Sequence, residues 1–314
     1  MRSYAQSRCV RTAGRPCLSK RFFLLSLCAS FLFICEAAAA VFDANAYLVQ
    51  SVCRDGTFDG LKHCDGAVPQ SARMPMVWRR HDWPAPSGYQ IEDSFADERR
   101  TPETIWSYPP FGPFNAQNGD GGEVYAVNRS GTIIITETQD GGRHGVLQHF
   151  IGPRCGGTGW LVAKGAPPTG VWASMVATLS ISDDPNACLP LDKAFTRWRL
   201  ETVSVPFIVS GTARTIPVST LISEHYDGAS LATAQHLERT FYGKGWGRVI
   251  WEAWGLTPPT VDLKERCPGT AWSLPPLSGW QLEDCRFSTN IVAAKPILTG
   301  AAFGWPAKAL AGAR

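Results

Sequence analysis

The chain has 314 residues, of which 44% are hydrophobic, and it contains 12 Trp and 15 Phe. This length accommodates one large domain or two small ones. The formal charge of +3 comes from residues 1–40, which hold six Lys or Arg and one acidic residue. The rest of the chain has 24 basic and 26 acidic residues, hence a charge of −2, and no basic cluster. This balance excludes an electrostatic nucleic-acid-binding surface.

The first forty residues have the organisation of an export signal. An apolar run over 22–35 follows a basic segment, and the small-residue run 37–40 provides an Ala-x-Ala cleavage site. We therefore expect residues 1–40 to be a signal peptide, the protein to be secreted or periplasmic, and no membrane span to remain after cleavage. An uncleaved anchor is the alternative. The basic residues are Arg2, Arg8, Arg11, Arg15, Lys20 and Arg21.

Six cysteines follow the signal peptide, and an even number in an exported chain predicts disulfides. Six cysteines allow 15 connectivities. Pairing between neighbours in sequence is the simplest expectation: Cys53–Cys64, Cys155–Cys188 and Cys267–Cys285. A zinc site at Cys53, His63 and Cys64 fails on spacing, because no second ligand pair accompanies them. We expect no metal and no cofactor.

The distribution of proline divides the exported chain into regions. Residues 41–121 are rich in proline and lack strong strand signals, so we expect a loop-rich N-terminal wrap. Residues 122–308 are expected to form one domain, and residues 309–314 a flexible tail. Within that domain, residues 255–280 are expected to be a second wrapping loop.

Strand signals recur throughout the predicted domain. Segments with β-branched residues and period-2 alternation, separated by turn-forming residues, are typical of short β-strands. We therefore predict an all-β fold, an antiparallel two-sheet β-sandwich (jelly-roll-like) with long Pro/Gly-rich wrapping loops. The predicted strands span 123–127, 132–138, 145–151, 159–163, 171–181, 196–209, 214–224, 237–242, 247–254 and 287–293.

A glycine-rich turn between residues 243 and 247 predicts a β-hairpin that carries the strongest candidate site. With Gly245 central, Tyr242 faces Arg248, and Glu238 faces Glu252. The two glutamates would then lie about 5 Å apart at Cβ. A retaining glycosidase uses two carboxyl groups at such a separation, one as nucleophile and one as acid/base. The alternative is a solvated face on which the glutamates pair with arginines.

Two further groups of residues suit recognition of a sugar. His225 and Tyr226 could act as catalytic groups beside Arg248, as a polysaccharide lyase would require, although such a pair at a strand end is often structural. Trp246 and Trp254 could stack on sugar rings. The predicted catalytic residues are thus Glu238, Glu252, His225 and Tyr226, and the predicted substrate-binding residues are Arg248, Tyr242, Trp246 and Trp254.

These features support two hypotheses about function. The first is a secreted or periplasmic carbohydrate-binding β-sandwich whose partner is a glycan or cell-surface polymer, with possible hydrolase or lyase activity. The second is a non-catalytic envelope or cell-surface protein that binds a protein partner, since Trp and Tyr are also enriched at protein interfaces. The chain contains no Gly-x-Ser-x-Gly, Walker, His-Glu-x-x-His or dinucleotide-binding motif.

We predict that the exported chain holds three disulfides and no free thiol. Titration of thiols in denaturant without reductant should therefore detect none. Two or more reactive thiols per chain would contradict the prediction, and peptide mapping that joins Cys53 to a residue other than Cys64 would contradict the local pairing alone.

Overall fold

A computed structural model describes residues 42–52, 68–69, 79–85, 88–97, 102–108, 123–139, 147–209, 212–258 and 275–292. The signal peptide predicted at 1–40 and the tail at 309–314 lie outside the described residues. So do Cys53, Cys64 and Cys267 of the predicted disulfides.

The described residues are mostly β-strand with almost no helix, which confirms the all-β class. A short helix, α1 (Asn45–Leu48), precedes the strands. The first eight strands are β1 (Ser51–Val52), β2 (Val68–Pro69), β3 (Arg79–Ala85), β4 (Gly88–Asp97), β5 (Glu103–Tyr108), β6 (Glu123–Val127), β7 (Ile133–Gln139) and β8 (Leu147–Ile151). The remaining strands are β9 (Trp160–Ala163), β10 (Ala173–Ser182), β11 (Asp192–Val209), β12 (Thr212–Tyr226), β13 (His236–Gly243), β14 (Gly247–Gly255) and β15 (Gln281–Val292).

The predicted jelly-roll-like two-sheet sandwich is not confirmed, because thirteen strands form one large sheet. Its order is β6-β5-β4-β3-β15-β14-β13-β12-β11-β10-β8-β7-β9, and β6 also pairs with β7. Each ladder between named strands is antiparallel. All ten predicted strands are present, with ends shifted by a few residues.

The loops expected over 41–121 are wrong for five segments, because strands β1 to β5 lie there. Strands β3, β4 and β5 pair within the large sheet. In β4, Tyr89, Ile91 and Phe95 occupy alternate positions that fit a strand, but flanking prolines and the polar residues between them weaken the signal. The domain therefore draws strands from both sides of the predicted boundary at residue 122.

One hydrophobic cluster lies on the face that we call the inner face of the sheet. Tyr125 of β6 and Tyr242 of β13 meet there at a hydroxyl separation of 3.3 Å, although five strands separate them in the sheet order. The sheet therefore curls around this cluster. Its members come from the segment around α1 and from strands β4 to β13, and they include Ile105, Ile133, Leu161, Trp198 and Leu221.

The N-terminal segment packs against the β13–β14 turn. The backbone N–H of Gly245 donates to the carbonyl of Ala46 at 2.5 Å, and the N–H of Ser51 donates to the carbonyl of Gly245 at 2.9 Å. Gly245 and Gly247 have φ values of 79° and 70°, which only glycine adopts readily. The predicted turn is therefore confirmed, and it also holds the segment that contains α1.

The disulfide Cys155–Cys188 is confirmed, with a Cα separation of 5.6 Å. It ties the turn before β9 to the connection between β10 and β11. Cys285 on β15 is also disulfide-bonded and is fully buried. Disulfides of this kind are compatible with an extracellular or periplasmic location.

Candidate functional site

A β-bulge changes the register of the β13–β14 hairpin and overturns the predicted glutamate pair. Tyr242 faces Arg248, as predicted, but Phe241 then faces Ile250, which leaves Val249 as an extra residue. Beyond the bulge each partner is displaced by one residue, so Glu238 faces Ala253. Because neighbouring residues of a strand point to opposite faces, Glu238 and Glu252 lie on different sides of the sheet.

The displaced register creates a row of alternating charges across four strands. Arg197 of β11 is the cross-strand partner of Glu224 on β12, and Glu224 is also the partner of Arg239 on β13. Arg239 is in turn the partner of Glu252 on β14. We call these four residues the charge ladder, and we call the side that carries them the outer face. Opposite charges in cross-strand positions are favourable, whereas the predicted Glu–Glu pair would have been repulsive.

Hydrogen bonds connect the members of the charge ladder. Arg239 donates from Nε to Glu224 Oε1 at 2.7 Å and from Nη1 to Glu252 Oε2 at 3.2 Å. Arg197 Nε donates to Glu224 Oε2. Both carboxylates are fully buried, and Arg239 is 6% exposed. Charges buried to this extent are tolerated only when they are paired and hydrogen-bonded.

Two predicted site residues serve the charge ladder as donors. The Tyr226 hydroxyl donates to Glu224 Oε2, and Trp254 Nε1 donates to Glu252 Oε2 at 2.8 Å. Burial and the neighbouring Glu224 carboxylate raise the pKa of Tyr226 well above its usual value. The phenol therefore stays protonated as a donor, and its contacts are those of a structural residue.

A large cavity lies at the inner face, where His225 and Glu238 are direct cross-strand partners. Its volume is about 840 Å³. This is within the size range of sites for small ligands. Aromatic rings from Trp160 and Trp251 contribute to its wall, together with the ends of β10 and β11. Tyr226 and Trp254 also line it, although their polar atoms bond to the outer face.

His225 is neutral in this cavity. It is 5% exposed, and burial lowers its pKa to about 3 despite a hydrogen bond with the Leu161 backbone, which acts in the opposite direction. Its Nε2 lies 3.1 Å from Ser223 Oγ. Ser223 is fully buried and donates to the Val162 carbonyl at 2.8 Å, so this Ser–His pair is closed to a substrate.

Two polar groups in the cavity wall have no hydrogen-bond partner. Ser180 is only 5% exposed, and its hydroxyl is unpaired; the indole N–H of Trp160 is also unpaired. Leaving a buried donor unpaired costs about 1–3 kcal/mol. Both groups would be satisfied by a ligand or water that places hydrogen-bonding atoms in the cavity.

The ionisable side chains around the cavity are mostly acidic. Four carboxylates line it, those of Asp192, Asp227, Glu238 and Glu283. Lys193 is the basic residue in the wall, and His236 Nδ1 lies 3.2 Å from Glu283. Asp227 accepts hydrogen bonds from the backbone of Gln235 and His236 and so shapes the β12–β13 connection. The cavity therefore disfavours anionic ligands and suits groups that donate hydrogen bonds.

The eight predicted site residues divide between several places. Four of them line the cavity: His225, Glu238, Tyr226 and Trp254. Glu252 belongs to the charge ladder. Tyr242 and Trp246 are buried in two hydrophobic clusters, and burial raises the pKa of Tyr242. Arg248 faces Tyr242, which is four positions along β13 from Glu238, the partner of His225, and its Nη1 lies 3.4 Å from Glu123 of β6.

Several cavity residues were not predicted from the sequence. The register expected with Gly245 at the centre of the turn would put Trp251 on the face opposite Glu238, whereas the bulge brings both residues to the same face. Trp160 and Ser180 reach the cavity from strands that are distant in sequence, and no local pattern marks them. Both lie in predicted strands, so their alternation could have indicated a face but not the neighbours across it.

The comparisons with known proteins identify no relative: no family model, no curated protein and no solved structure matches the chain. Within the described ranges, no cluster of three or more His, Cys, Asp or Glu side chains is arranged to hold a metal ion. No helix in the described part of the chain is long and apolar enough to cross a membrane.

Replacing Glu252 by Gln should destabilise the protein strongly. The change leaves Arg239 buried with one of its carboxylates removed, which costs about 3–5 kcal/mol. The matched change Glu238→Gln, at an exposed position of the neighbouring strand, should alter the free energy of unfolding by less than about 0.5 kcal/mol. Urea denaturation of both variants measures the difference. Equal effects would show that the charge ladder does not stabilise the fold.

Stability should fall in acid because of His225. Between pH 6.5 and about 3, the unfolded chain binds a proton at this residue and the folded chain does not, so stability declines as the pH falls through this window. At pH 5 we expect His225 to account for a loss of about 2 kcal/mol relative to pH 7.5.

Chemical denaturation at the two pH values tests the assignment to His225. His225→Gln should flatten the pH dependence, whereas His236→Gln, a change at an exposed histidine, should preserve it. An unchanged acid response in His225→Gln would assign the effect to other groups.

Proposed function

We propose that this protein is an exported carbohydrate-binding protein and that the inner-face cavity holds a neutral glycan. The observation that carries the proposal is the pair of unsatisfied polar groups, Ser180 Oγ and Trp160 Nε1, in a cavity with aromatic walls. A sugar offers hydroxyl groups that donate and accept, and it offers apolar ring faces. A sugar therefore supplies both the hydrogen-bonding atoms that Ser180 and Trp160 lack and an apolar surface for the aromatic walls.

Aromatic and acidic residues have complementary roles in this proposal. The rings of Trp160 and Trp251 provide flat apolar surfaces against which a sugar ring can pack. The carboxylates of Glu238 and Asp192 accept hydrogen bonds from hydroxyl groups and disfavour acidic sugars by charge repulsion. His225, being neutral, adds no charge to the cavity wall.

Binding without hydrolysis is the form of the proposal that the geometry favours. Glu238 and Glu252 lie on opposite faces, so they cannot flank one glycosidic bond as a retaining pair. Export is supported by the Cys155–Cys188 disulfide and by the predicted signal peptide. The second hypothesis, an envelope protein that binds a protein partner, stays a prediction.

A glycan array probed with the exported chain, followed by calorimetric titration of the best ligand, tests this function. We expect Trp251→Ala to weaken binding about tenfold, since truncation of a contact Trp typically costs more than 1 kcal/mol. The matched control is Trp172→Ala on the outer face, which should leave the affinity for a neutral glycan unchanged. A screen in which no glycan binds would overturn the proposal.

Ser180→Ala provides a more specific test. Removing an unpaired buried hydroxyl should leave the free protein as stable as before or slightly more stable, because its desolvation cost disappears. The same change should weaken glycan binding, because the ligand loses a partner. A loss of stability with unaltered affinity would mean that Ser180 has a structural role only.

A further inference from the structure

A second cavity lies on the outer face, where three arginines come together. Its volume is about 290 Å³, and its charged lining consists of Arg197, Arg199 and Arg239 with one carboxylate, that of Glu201, beside Trp172. We propose that this cavity binds an oxyanion, the carboxylate or sulfate group of an acidic sugar or the free anion. The site is separate from the inner-face cavity, so it does not depend on the function proposed there.

The first argument is an unsatisfied cationic donor. Arg199 Nε is buried and has no hydrogen-bond partner, while Nη2 of the same guanidinium pairs with Glu201 at 2.5 Å. Hydrogen bonds from a charged donor are stronger than those between neutral groups, and leaving one unmade is correspondingly costly. An anion in the cavity would supply the missing acceptor.

The second argument is that the guanidinium groups are already positioned. The Cζ atoms of Arg197 and Arg199 lie 4.4 and 4.3 Å from the centroid of the Trp172 ring. Glu224 accepts a hydrogen bond from Nε of Arg197, which restrains the position of that guanidinium. Two ordered guanidinium groups beside one ring offer the planar donor pattern that carboxylate and sulfate groups accept.

The third argument is the mixture of charge and apolar surface. The same cavity is also lined by apolar side chains, those of Val203, Ile222, Phe241, Pro275 and Pro276. A free inorganic anion would use only the arginines, whereas the ring carbons of an acidic sugar would also cover this apolar surface. The size of the cavity suits a single sugar unit or smaller, and its polarity is opposite to that of the acidic inner-face cavity.

Calorimetric titration of the exported chain with glucuronate and, separately, with sodium sulfate tests the site. We expect saturable binding of one anion per chain that weakens as sodium chloride is added. Tighter binding of glucuronate than of sulfate identifies the sugar-borne carboxylate as the ligand, and the reverse identifies the free anion. If neither anion binds saturably, the proposal is wrong.

Variants connect the binding to the proposed residues. Arg199→Gln should weaken binding about tenfold or more, the loss expected for a charge-assisted hydrogen bond. Arg129→Gln, at an exposed arginine in the β6–β7 turn, and Trp251→Ala, in the other cavity, should leave it unchanged. If Arg199→Gln fails to fold, Arg199→Lys keeps the charge but loses the planar donors and should still weaken binding. Unaltered affinity in the folded Arg199 variant would overturn the proposal.

Discussion

The charge ladder is the constraint on which the rest of the structure depends. Arg197, Glu224, Arg239 and Glu252 occupy successive cross-strand positions, and each cation lies beside at least one buried carboxylate. A slip of one residue in any of the four strands would leave a buried charge without its partner and would send apolar side chains to the wrong face. A slip of two residues would keep the apolar side chains on their own face, whereas this row of charges is compatible with only one register. The ladder thus specifies the pairing of β11 to β14, in addition to any stability that it contributes.

The same register determines what each face of the sheet can do. With Glu224 and Arg239 on the outer face, their neighbours His225 and Glu238 must lie on the inner face, where the larger cavity is found. The outer face keeps the carboxylates of the charge ladder buried and places the guanidinium groups of Arg197 and Arg199 beside Trp172. One alternation along two strands therefore yields an acidic cavity on one side and a basic cavity on the other.

The sequence predicts local features of this molecule well and relations between distant segments poorly. Period-2 alternation located the ten strands from β6 to β15, and the spacing of Cys155 and Cys188 identified their disulfide. The turn at Gly245 was also predicted, because its conformation requires glycine.

The bulge at Val249 was not predicted, since a buried valine fits a regular strand equally well. This single extra residue reversed the face assigned to Glu252. Strands β3 to β5 were missed because prolines near their ends outweighed a weak alternation. Trp160 and Ser180 meet His225 only through the curl of the sheet, which no local pattern encodes.

The pairing of β3 with β15 has a consequence for how the chain acquires this structure. These strands stand side by side in the sheet, yet they come from opposite ends of the described chain. During synthesis β3 emerges early and can form a hairpin with β4, but its other edge has no partner until β15 follows. Pairings of such long sequence separation form slowly, because a large loop must close first. Throughout that interval β3 presents unpaired backbone groups on which a strand of another nascent copy could dock. Intermolecular association through this edge is the misfolding route to which the topology exposes the protein.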